Sequence, residues 1–294
     1  MLKKTKSKGI NNSYAGYFFI APQVILAVIF IVYPVIEGFR MSLYRSTYQK
    51  DIFVGLENYI NLFKDEIFIR SVMNTLVFVV AIVTLTIVFG IFVASAVYDK
   101  GSKYVSLVRG CYYLPVMVSM VIMSMIWNFL LNPANGLINY FFQVFGVHNV
   151  NLLGDKNYVI PIIIFVTFVG NVGQAIILYI AAMIGVPHDY FEAAQIDGAT
   201  RWERIKHILI PLVKPTTLYL IVINVIAVLK IFVVIQLLTD GGPNNSSVTM
   251  MYYLYQNAFV YNRMGEAAAI GVIMFILALL FAIPQFKTFK AKEV

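Results

Sequence analysis

The sequence predicts an all-α membrane protein: a polytopic bundle of six transmembrane helices with both termini in the cytoplasm. The chain has 294 residues, of which 60% are hydrophobic and only 12% are charged. Its mean hydropathy is +0.81, and the charged residues are separated by six long apolar stretches. Soluble domains carry about 25% charged residues, so the composition excludes a soluble globular protein.

The six apolar stretches define the predicted spans, because a membrane helix needs about 20 consecutive apolar residues. The stretches are rich in Ile, Val, Leu and Phe, lack strict alternation and far exceed the ~10-residue strands of an outer-membrane barrel. We predict spans near residues 17–39, 72–97, 107–131, 158–184, 212–238 and 266–286. The same pattern divides the chain into a cytoplasmic basic N-terminus (1–16), a transmembrane domain (17–286) and a cytoplasmic tail (287–294).

The orientation follows from the basic residues that flank the spans, because Lys and Arg are retained on the cytoplasmic side. One side holds fourteen of them: Lys3, Lys4, Lys6, Lys8, Lys100, Lys103, Arg109, Arg201, Arg204, Lys206, Lys214, Lys287, Lys290 and Lys292. The other side holds seven, largely offset by acidic residues: Arg40, Arg45, Lys50, Lys64, Arg70, Lys156 and Arg263. The net charge of +8 therefore sets the orientation and does not indicate nucleic-acid binding.

The sequence contains no pattern for a resident metal or cofactor. His148, His188 and His207 are scattered over different loops, and Cys111 is the only cysteine. No phosphate-binding G-x-x-x-x-G-K-[ST] loop occurs, so we expect no ATP site and no catalytic residues in this chain.

The cytoplasmic loop at residues 187–211 is the most informative segment. Asp189 with Glu192, and Thr200 with Glu203, both resemble capping boxes, which predicts two short helices with Gly198 at the end of the first. Pro211 predicts a break or kink before the fifth span. Such short helices are marginal alone. We expect Tyr190, Phe191, Trp202 and Ile205 to pack against something outside the chain. These signals fit either an elbow on the membrane surface or a docking site for a partner protein.

The loop resembles the EAA motif of permease subunits of bacterial ATP-binding-cassette importers. The resemblance is carried by Glu192-Ala-Ala, Asp197-Gly198-Ala199 and Ile208-x-Ile210-Pro211. Further motifs are similar to the carbohydrate branch of that family, of the maltose and glycerol-phosphate first-permease type. They are Phe53-Val-Gly-Leu-Glu-Asn-Tyr59, Asn74-Thr75, Leu114-Pro115, Asn132-Pro133, Gly136-Leu-Ile-Asn139 and Leu238-Thr-Asp-Gly-Gly-Pro243.

The resemblance implies a type I importer permease in the bacterial inner membrane, which transports but is not an enzyme. Glu192, Ala193, Ala194, Asp197 and Gly198 would form the coupling helix that enters a cleft of a cytoplasmic ATPase. It also implies a heterodimer with a second homologous permease, two ATPase subunits that bind ATP and Mg²⁺, and an extracellular solute-binding protein.

Polar residues inside the spans are candidates for a sugar path, because polar groups facing lipid are costly. Thr167, Asn171 and Gln174 are spaced i, i+4 and i+7 on one helix face. The resemblance places sugar-contacting positions there and at Asn224, and Asn128 is a weaker candidate. The alternative is hydrogen bonding between helices, which is common for Asn and Gln in membrane bundles.

Lys230 is the only basic residue deep in a span, and a six-residue separation from Asn224 would place it on a different helix face. It could face an anionic sugar or a phosphate group, pair with an acidic residue of the partner permease, or extend its side chain toward the outer interface. The solute could accordingly be a sugar or oligosaccharide, or an anion similar to glycerol phosphate or a uronate.

Two other classes fit the sequence poorly. A mitochondrial-type secondary carrier requires three internal repeats of ~100 residues, and none is found. An intramembrane enzyme would require paired carboxylates, a metal cluster or a nucleophile with its base inside the spans. The predicted spans contain no such combination of residues.

Overall fold

A computed structural model of the chain describes residues 13–47, 50–147 and 150–290. Within these residues, four helices are long and apolar enough to cross a membrane, and two further pairs of helices qualify if each bent pair counts as one span. The prediction of a six-span helical bundle is therefore confirmed. The basic residues Lys3, Lys4, Lys6, Lys8 and Lys292, on which the predicted orientation partly depends, lie outside the described residues.

The first span consists of α1 (Ser13–Ala27), a π-helical turn (Val28–Val32) and α2 (Tyr33–Ser42). Its most apolar stretch has no buried residue, although the outer part, α2, packs on the last helix of the chain. A small antiparallel hairpin follows, formed by β1 (Tyr44–Thr47) and β2 (Lys50–Phe53). Most of this span is left for lipid or a partner to cover.

The second span is the longest helix and lies at the centre of the bundle. After the short helix α3 (Glu57–Lys64), α4 runs over Glu66–Val97. It begins before the predicted residue 72 because the Asp65 side chain caps it, accepting a hydrogen bond of 2.8 Å from the Ile67 amide.

The third span is not the single helix predicted at 107–131. It is divided into α5 (Ser102–Met117) and α6 (Met120–Leu130), whose axes differ by 91°. The break has two local causes. Pro115 removes a helical hydrogen bond near the end of α5, and Ser119 caps α6 by accepting from the Ile122 amide at 3.3 Å.

The fourth span follows an outer connection that contains α7 (Leu137–Val144). It is α8 (Lys156–Ile184), in good agreement with the predicted 158–184. Helix α8 packs closely on both α4 and α5. Close approach depends on glycine, since a Cβ on Gly173 would lie only 2.0 Å from the Tyr112 carbonyl oxygen on α5.

The cytoplasmic loop forms α9 (Asp189–Ile196) and then a continuous helical run of α10 (Arg201–Arg204), a π-helical turn (Ile205–Leu209) and α11 (Ile210–Leu212). The predicted break or kink before the fifth span is present. Pro211 itself lies within this helical run, and the chain bends by 62° just after it, between Leu212 and Lys214.

The fifth span is also interrupted, contrary to the single helix predicted at 212–238. It consists of α12 (Lys214–Leu229) and α13 (Val233–Leu238), separated by residues 230–232. The Thr249 hydroxyl holds this break by donating a 3.0 Å hydrogen bond to the Ile231 carbonyl oxygen. The chain then forms α14 (Met250–Tyr255), a π-helical turn (Gln256–Val260) and the sixth span, α15 (Met264–Lys290).

A non-helical segment before α14 is buried on the outer side of the bundle. Ser247, Val248 and Thr249 are all fully buried. The Asn74 amide on α4 donates hydrogen bonds of 2.9 Å to the carbonyl oxygens of both Ser246 and Val248. Helix α4 thus satisfies backbone groups that would otherwise be orphaned away from water.

We predict that Gly173→Ala destabilises the bundle, because the added methyl group would collide with the α5 backbone rather than with a movable side chain. Overpacking of this kind lowers the free energy of unfolding by about 1–3 kcal/mol. This loss corresponds to a melting temperature that is lower by about 3–10 °C. The measurement is thermal unfolding of the purified chain in detergent.

The matched control is Gly110→Ala on α5, where a Cβ would meet no atom within 4 Å. Equal melting temperatures for the two variants would contradict the close contact between α5 and α8.

Candidate functional site

A concave pocket of about 230 Å³ lies where the two broken spans meet α8. It is lined by Thr167 and Asn171 from α8, Asn224 from α12, and Lys230 at the break in the fifth span. Four of the six residues predicted for the substrate path therefore share one pocket. Met120, at the start of α6, and Phe232, in the break of the fifth span, also line the pocket. The sequence did not indicate either residue.

The polar groups of this pocket have unused hydrogen-bonding capacity. The Asn171 amide donates to the Thr167 carbonyl oxygen, and the Asn224 amide donates to the Leu220 carbonyl oxygen, both at 2.8 Å. These bonds orient the two side chains and leave their Oδ1 atoms as acceptors. The Thr167 hydroxyl is buried and has no hydrogen-bond partner among the described residues.

Gln174 and Asn128 lie outside the pocket. Gln174 is exposed, and its place seven residues after Thr167 puts it about 10 Å further along the helix axis, beyond the end of the pocket. The Asn128 amide donates a 2.9 Å hydrogen bond to the Leu237 carbonyl oxygen and thereby connects α6 to α13. This is the alternative role, hydrogen bonding between helices, that the sequence left open.

The cytoplasmic loop has a defined shape set by Gly198 and Thr200. Gly198 adopts a φ of +78°, a left-handed conformation that favours glycine, and it turns the chain from α9 to α10. Thr200 and Glu203 form the predicted capping box, in which the Thr200 hydroxyl and backbone amide both bond the Glu203 carboxylate at 2.7 Å. These two hydrogen bonds lower the pKa of the Glu203 carboxyl.

The second predicted capping box is wrong. Asp189 is the first residue of α9, and the residue before it, His188, makes no capping hydrogen bond. The acidic pair Asp189 and Glu192 instead lies in the first turn of the helix, where negative charge is favourable against the helix dipole.

The expectation that Phe191 and Ile205 need an external partner is also wrong. Both are buried against the cytoplasmic half of the chain's own core, and the Phe191 ring lies 5.7 Å from that of Tyr98. These two side chains anchor the loop to the bundle.

Arg201 provides a polar anchor for the same loop. Its guanidinium bonds both carboxylate oxygens of Asp99 at 3.0–3.1 Å and also donates to the carbonyl oxygens of Ser95 and Ala96 at 3.1 Å. The cation thus caps the C-terminal end of α4, where positive charge is favourable.

Three other large side chains of the loop, in contrast, are exposed. Ile196 is 87% exposed, Trp202 67% and Tyr190 54%. Of the predicted coupling residues, Glu192, Ala193, Asp197 and Gly198 are exposed and Ala194 is half-buried. We refer to Tyr190, Ile196 and Trp202 with these five residues as the coupling face.

The described residues contain no group of three or more His, Cys, Asp or Glu side chains that could hold a metal ion. His148 lies outside the described residues.

Comparisons with known proteins agree with one another. Residues 86–286 match the family described as binding-protein-dependent transport system inner membrane component. The chain is 30% identical to the probable ABC transporter permease protein YurN of Bacillus subtilis, over 95% of this chain and 97% of the relative. It is also 30% identical to the sn-glycerol-3-phosphate transport system permease protein UgpA of Agrobacterium fabrum, over 94% of both chains.

Two solved structures are similar over nearly the full chain. One, of a bacterial ABC transporter involved in the import of the acidic polysaccharide alginate, has a TM-score of 0.84 and 28% identity over 95% of this chain and 96% of that chain. The other, of the bacterial alginate ABC transporter in complex with an alginate pentasaccharide-bound periplasmic protein, has a TM-score of 0.82 and 28% identity over 92% of both chains.

We predict that Arg201→Gln loosens the cytoplasmic loop, because it removes the cation that joins Asp99 and two backbone carbonyl groups to the loop. Amide hydrogen exchange across residues 187–211 should become roughly threefold to tenfold faster, consistent with the loss of charged hydrogen bonds at a partly exposed site.

Lys206→Gln removes an exposed charge from the same loop and serves as the control. Unchanged exchange in Arg201→Gln, or an equal change in both variants, would show that the Arg201 contacts do not hold the loop.

Proposed function

We propose that this chain, which belongs to the family of binding-protein-dependent transport system inner membrane components, forms half of the path of an ATP-driven sugar importer. In this proposal, its coupling face receives the motion of a cytoplasmic ATPase. The observation that carries the proposal is an exposed apolar surface on a loop that is itself firmly anchored to the spans.

The coupling face has the properties of a docking surface for a folded protein. Ile196 and Trp202 expose large apolar areas, and exposed apolar residues on an anchored element are typical of binding sites. Ala193 and Gly198 allow close approach between backbones. Because Phe191, Ile205 and Arg201 fix the loop to the bundle, a push on the coupling face would move the spans rather than bend the loop. Closure of two ATPase subunits on ATP and Mg²⁺ would then switch the bundle between inward-open and outward-open states.

A second, homologous permease would complete the path. The pocket that contains Thr167, Asn171 and Asn224 is not fully enclosed by the described residues. The most apolar stretch of the first span has no buried residue. These exposed apolar surfaces support a heterodimer, with an extracellular solute-binding protein delivering solute from the outer side.

The relatives support a carbohydrate or a related polyol phosphate as the solute. One relative is a transport system permease for sn-glycerol 3-phosphate, and one of the similar solved structures is of a transporter involved in the import of alginate. Amide groups such as those of Asn171 and Asn224 supply both donors and acceptors to hydroxyl-rich ligands. We favour a sugar or oligosaccharide.

The first test is co-purification of the ATPase subunit with Ile196→Glu or Trp202→Glu variants of this chain. Burying a large apolar side chain contributes about 1.5–3 kcal/mol, and each 1.4 kcal/mol corresponds to about tenfold in affinity. We therefore expect at least a roughly tenfold loss of bound ATPase, with insertion and heterodimer formation retained.

Leu56→Glu is the matched control, because Leu56 is 65% exposed but lies on the outer side, before α3. Full retention of the ATPase by both cytoplasmic variants would contradict the proposed coupling face.

The second test uses two nearly isosteric substitutions at Gly198. Asn and Asp both tolerate the left-handed conformation of this residue, and a Cβ there meets no atom within 4 Å. The Gly198→Asp variant places a new negative charge in the coupling face. We expect it to uncouple transport and to abolish most ligand-stimulated ATPase activity in proteoliposomes, while Gly198→Asn retains most of it.

Normal stimulated ATPase activity in the Asp variant would count against the contact. Gly198→Ala separates backbone strain from charge, since a left-handed residue other than Gly costs roughly 1–2 kcal/mol without adding any charge.

A further inference from the structure

We propose that Lys230 binds an anionic substituent of the transported solute, so that the solute is a hydroxyl-rich compound bearing a carboxylate or a phosphate. This inference rests on the proposed function, because it assumes that the pocket lined by Thr167, Asn171 and Asn224 is part of the solute path.

Lys230 interrupts an otherwise apolar span. It lies between α12 (Lys214–Leu229) and α13 (Val233–Leu238), and it is the only charged residue between Lys214 and Asp240. A basic side chain within a span is costly and characteristically faces a cavity or a partner charge rather than lipid.

The helix break brings Lys230 to the same pocket as Asn224. The i, i+6 separation would direct the two residues to different faces of a straight helix, but α12 ends at Leu229, and Lys230, which is exposed, lines the pocket together with Asn224. The Thr249 bond to Ile231 fixes this geometry, and Ile231 and Val234 beside it are buried. The backbone position of Lys230 is therefore fixed by a hydrogen bond and by buried neighbouring side chains.

Among the described residues, Lys230 has no counter-charge in the pocket. The ion pairs among the described residues involve Arg40, Arg45, Arg201 and Arg263, and no acidic residue lines the pocket. Asp240, the nearest acidic residue along the chain, accepts a hydrogen bond from the Tyr252 hydroxyl at 2.7 Å.

The polar groups of the pocket match one class of ligand. The Oδ1 atoms of Asn171 and Asn224 are free to accept from hydroxyl groups, and the unpartnered Thr167 hydroxyl can bond a further one. The Lys230 ammonium has three donors and no acceptor. Several acceptors beside one cation are complementary to a ligand with several hydroxyl donors and one anionic group, as in a uronic acid or a sugar phosphate.

The test is uptake by proteoliposomes that contain the complete transporter with its binding protein. The probes are two matched pairs: a glucuronate-containing disaccharide with its neutral parent disaccharide, and sn-glycerol 3-phosphate with glycerol. We expect the native transporter to favour the anionic member of at least one pair, and Lys230→Gln to lower the anionic-to-neutral uptake ratio at least tenfold. Lys230→Arg should restore most of the ratio. The pair that responds identifies the substituent as carboxylate or phosphate.

Lys214→Gln is the matched control, because it removes an exposed lysine from the other end of α12, and it should leave the ratio unchanged. The proposal is overturned if the native transporter takes up no anionic probe, or if Lys230→Gln leaves the ratio unaltered. It is also overturned if Lys230→Gln dissociates the heterodimer, which would indicate an ion pair with the partner permease. Failure of the proposed function itself is recognised separately, by an assembled complex whose ATPase activity does not respond to the binding protein.

Discussion

The structure depends on one constraint: inside a bilayer, every backbone amide and carbonyl group must find its partner within the protein. Most of the chain meets this constraint with continuous helices. Two spans do not, and at each break the protein supplies a specific polar group. Ser119 caps the helix that follows the first break, and the Thr249 hydroxyl bonds the Ile231 carbonyl oxygen at the second. Irregular backbone is tolerated at membrane depth where it is buried in protein or lines a cavity, and the pocket lies beside both breaks.

The number and approximate positions of the spans could be predicted from the sequence, because the cost of burying charge limits where charged residues occur. The interruptions could not. Hydropathy measures the free energy of transferring side chains into the bilayer. A break in the helix at residues 230–232 leaves that quantity almost unchanged. The bond that holds this break comes from Thr249, on a separate, buried outer segment whose burial no local pattern predicts. The grouping of Lys230 with Asn224 was missed for the same reason.

In the cytoplasmic loop, too, features set by residues close in sequence were predictable, and features set by tertiary contacts were not. The Thr200–Glu203 cap and the bend at Gly198 arise from residues close in sequence, and both were predicted. The burial of Phe191 and Ile205 depends on how the loop returns to the ends of the spans, which is fixed in part by the contact between Arg201 and Asp99, 102 residues apart. Four aromatic or aliphatic side chains therefore looked equivalent in the sequence, whereas two anchor the loop and two, Tyr190 and Trp202, remain exposed.

Helix α4 has a mechanical consequence for the whole molecule. Its cytoplasmic end is bonded by Arg201, and near its outer end Asn74 holds the buried segment that fixes the break beside the pocket. The helix has 32 residues and contains no proline, so it behaves as a strut of about 48 Å that joins the two sides of the membrane. Thermodynamic coupling between two binding sites is reciprocal. Where two partners bind such a strut on opposite sides of the membrane, any effect of the outer partner on the affinity of the cytoplasmic one is matched by an equal effect in the reverse direction.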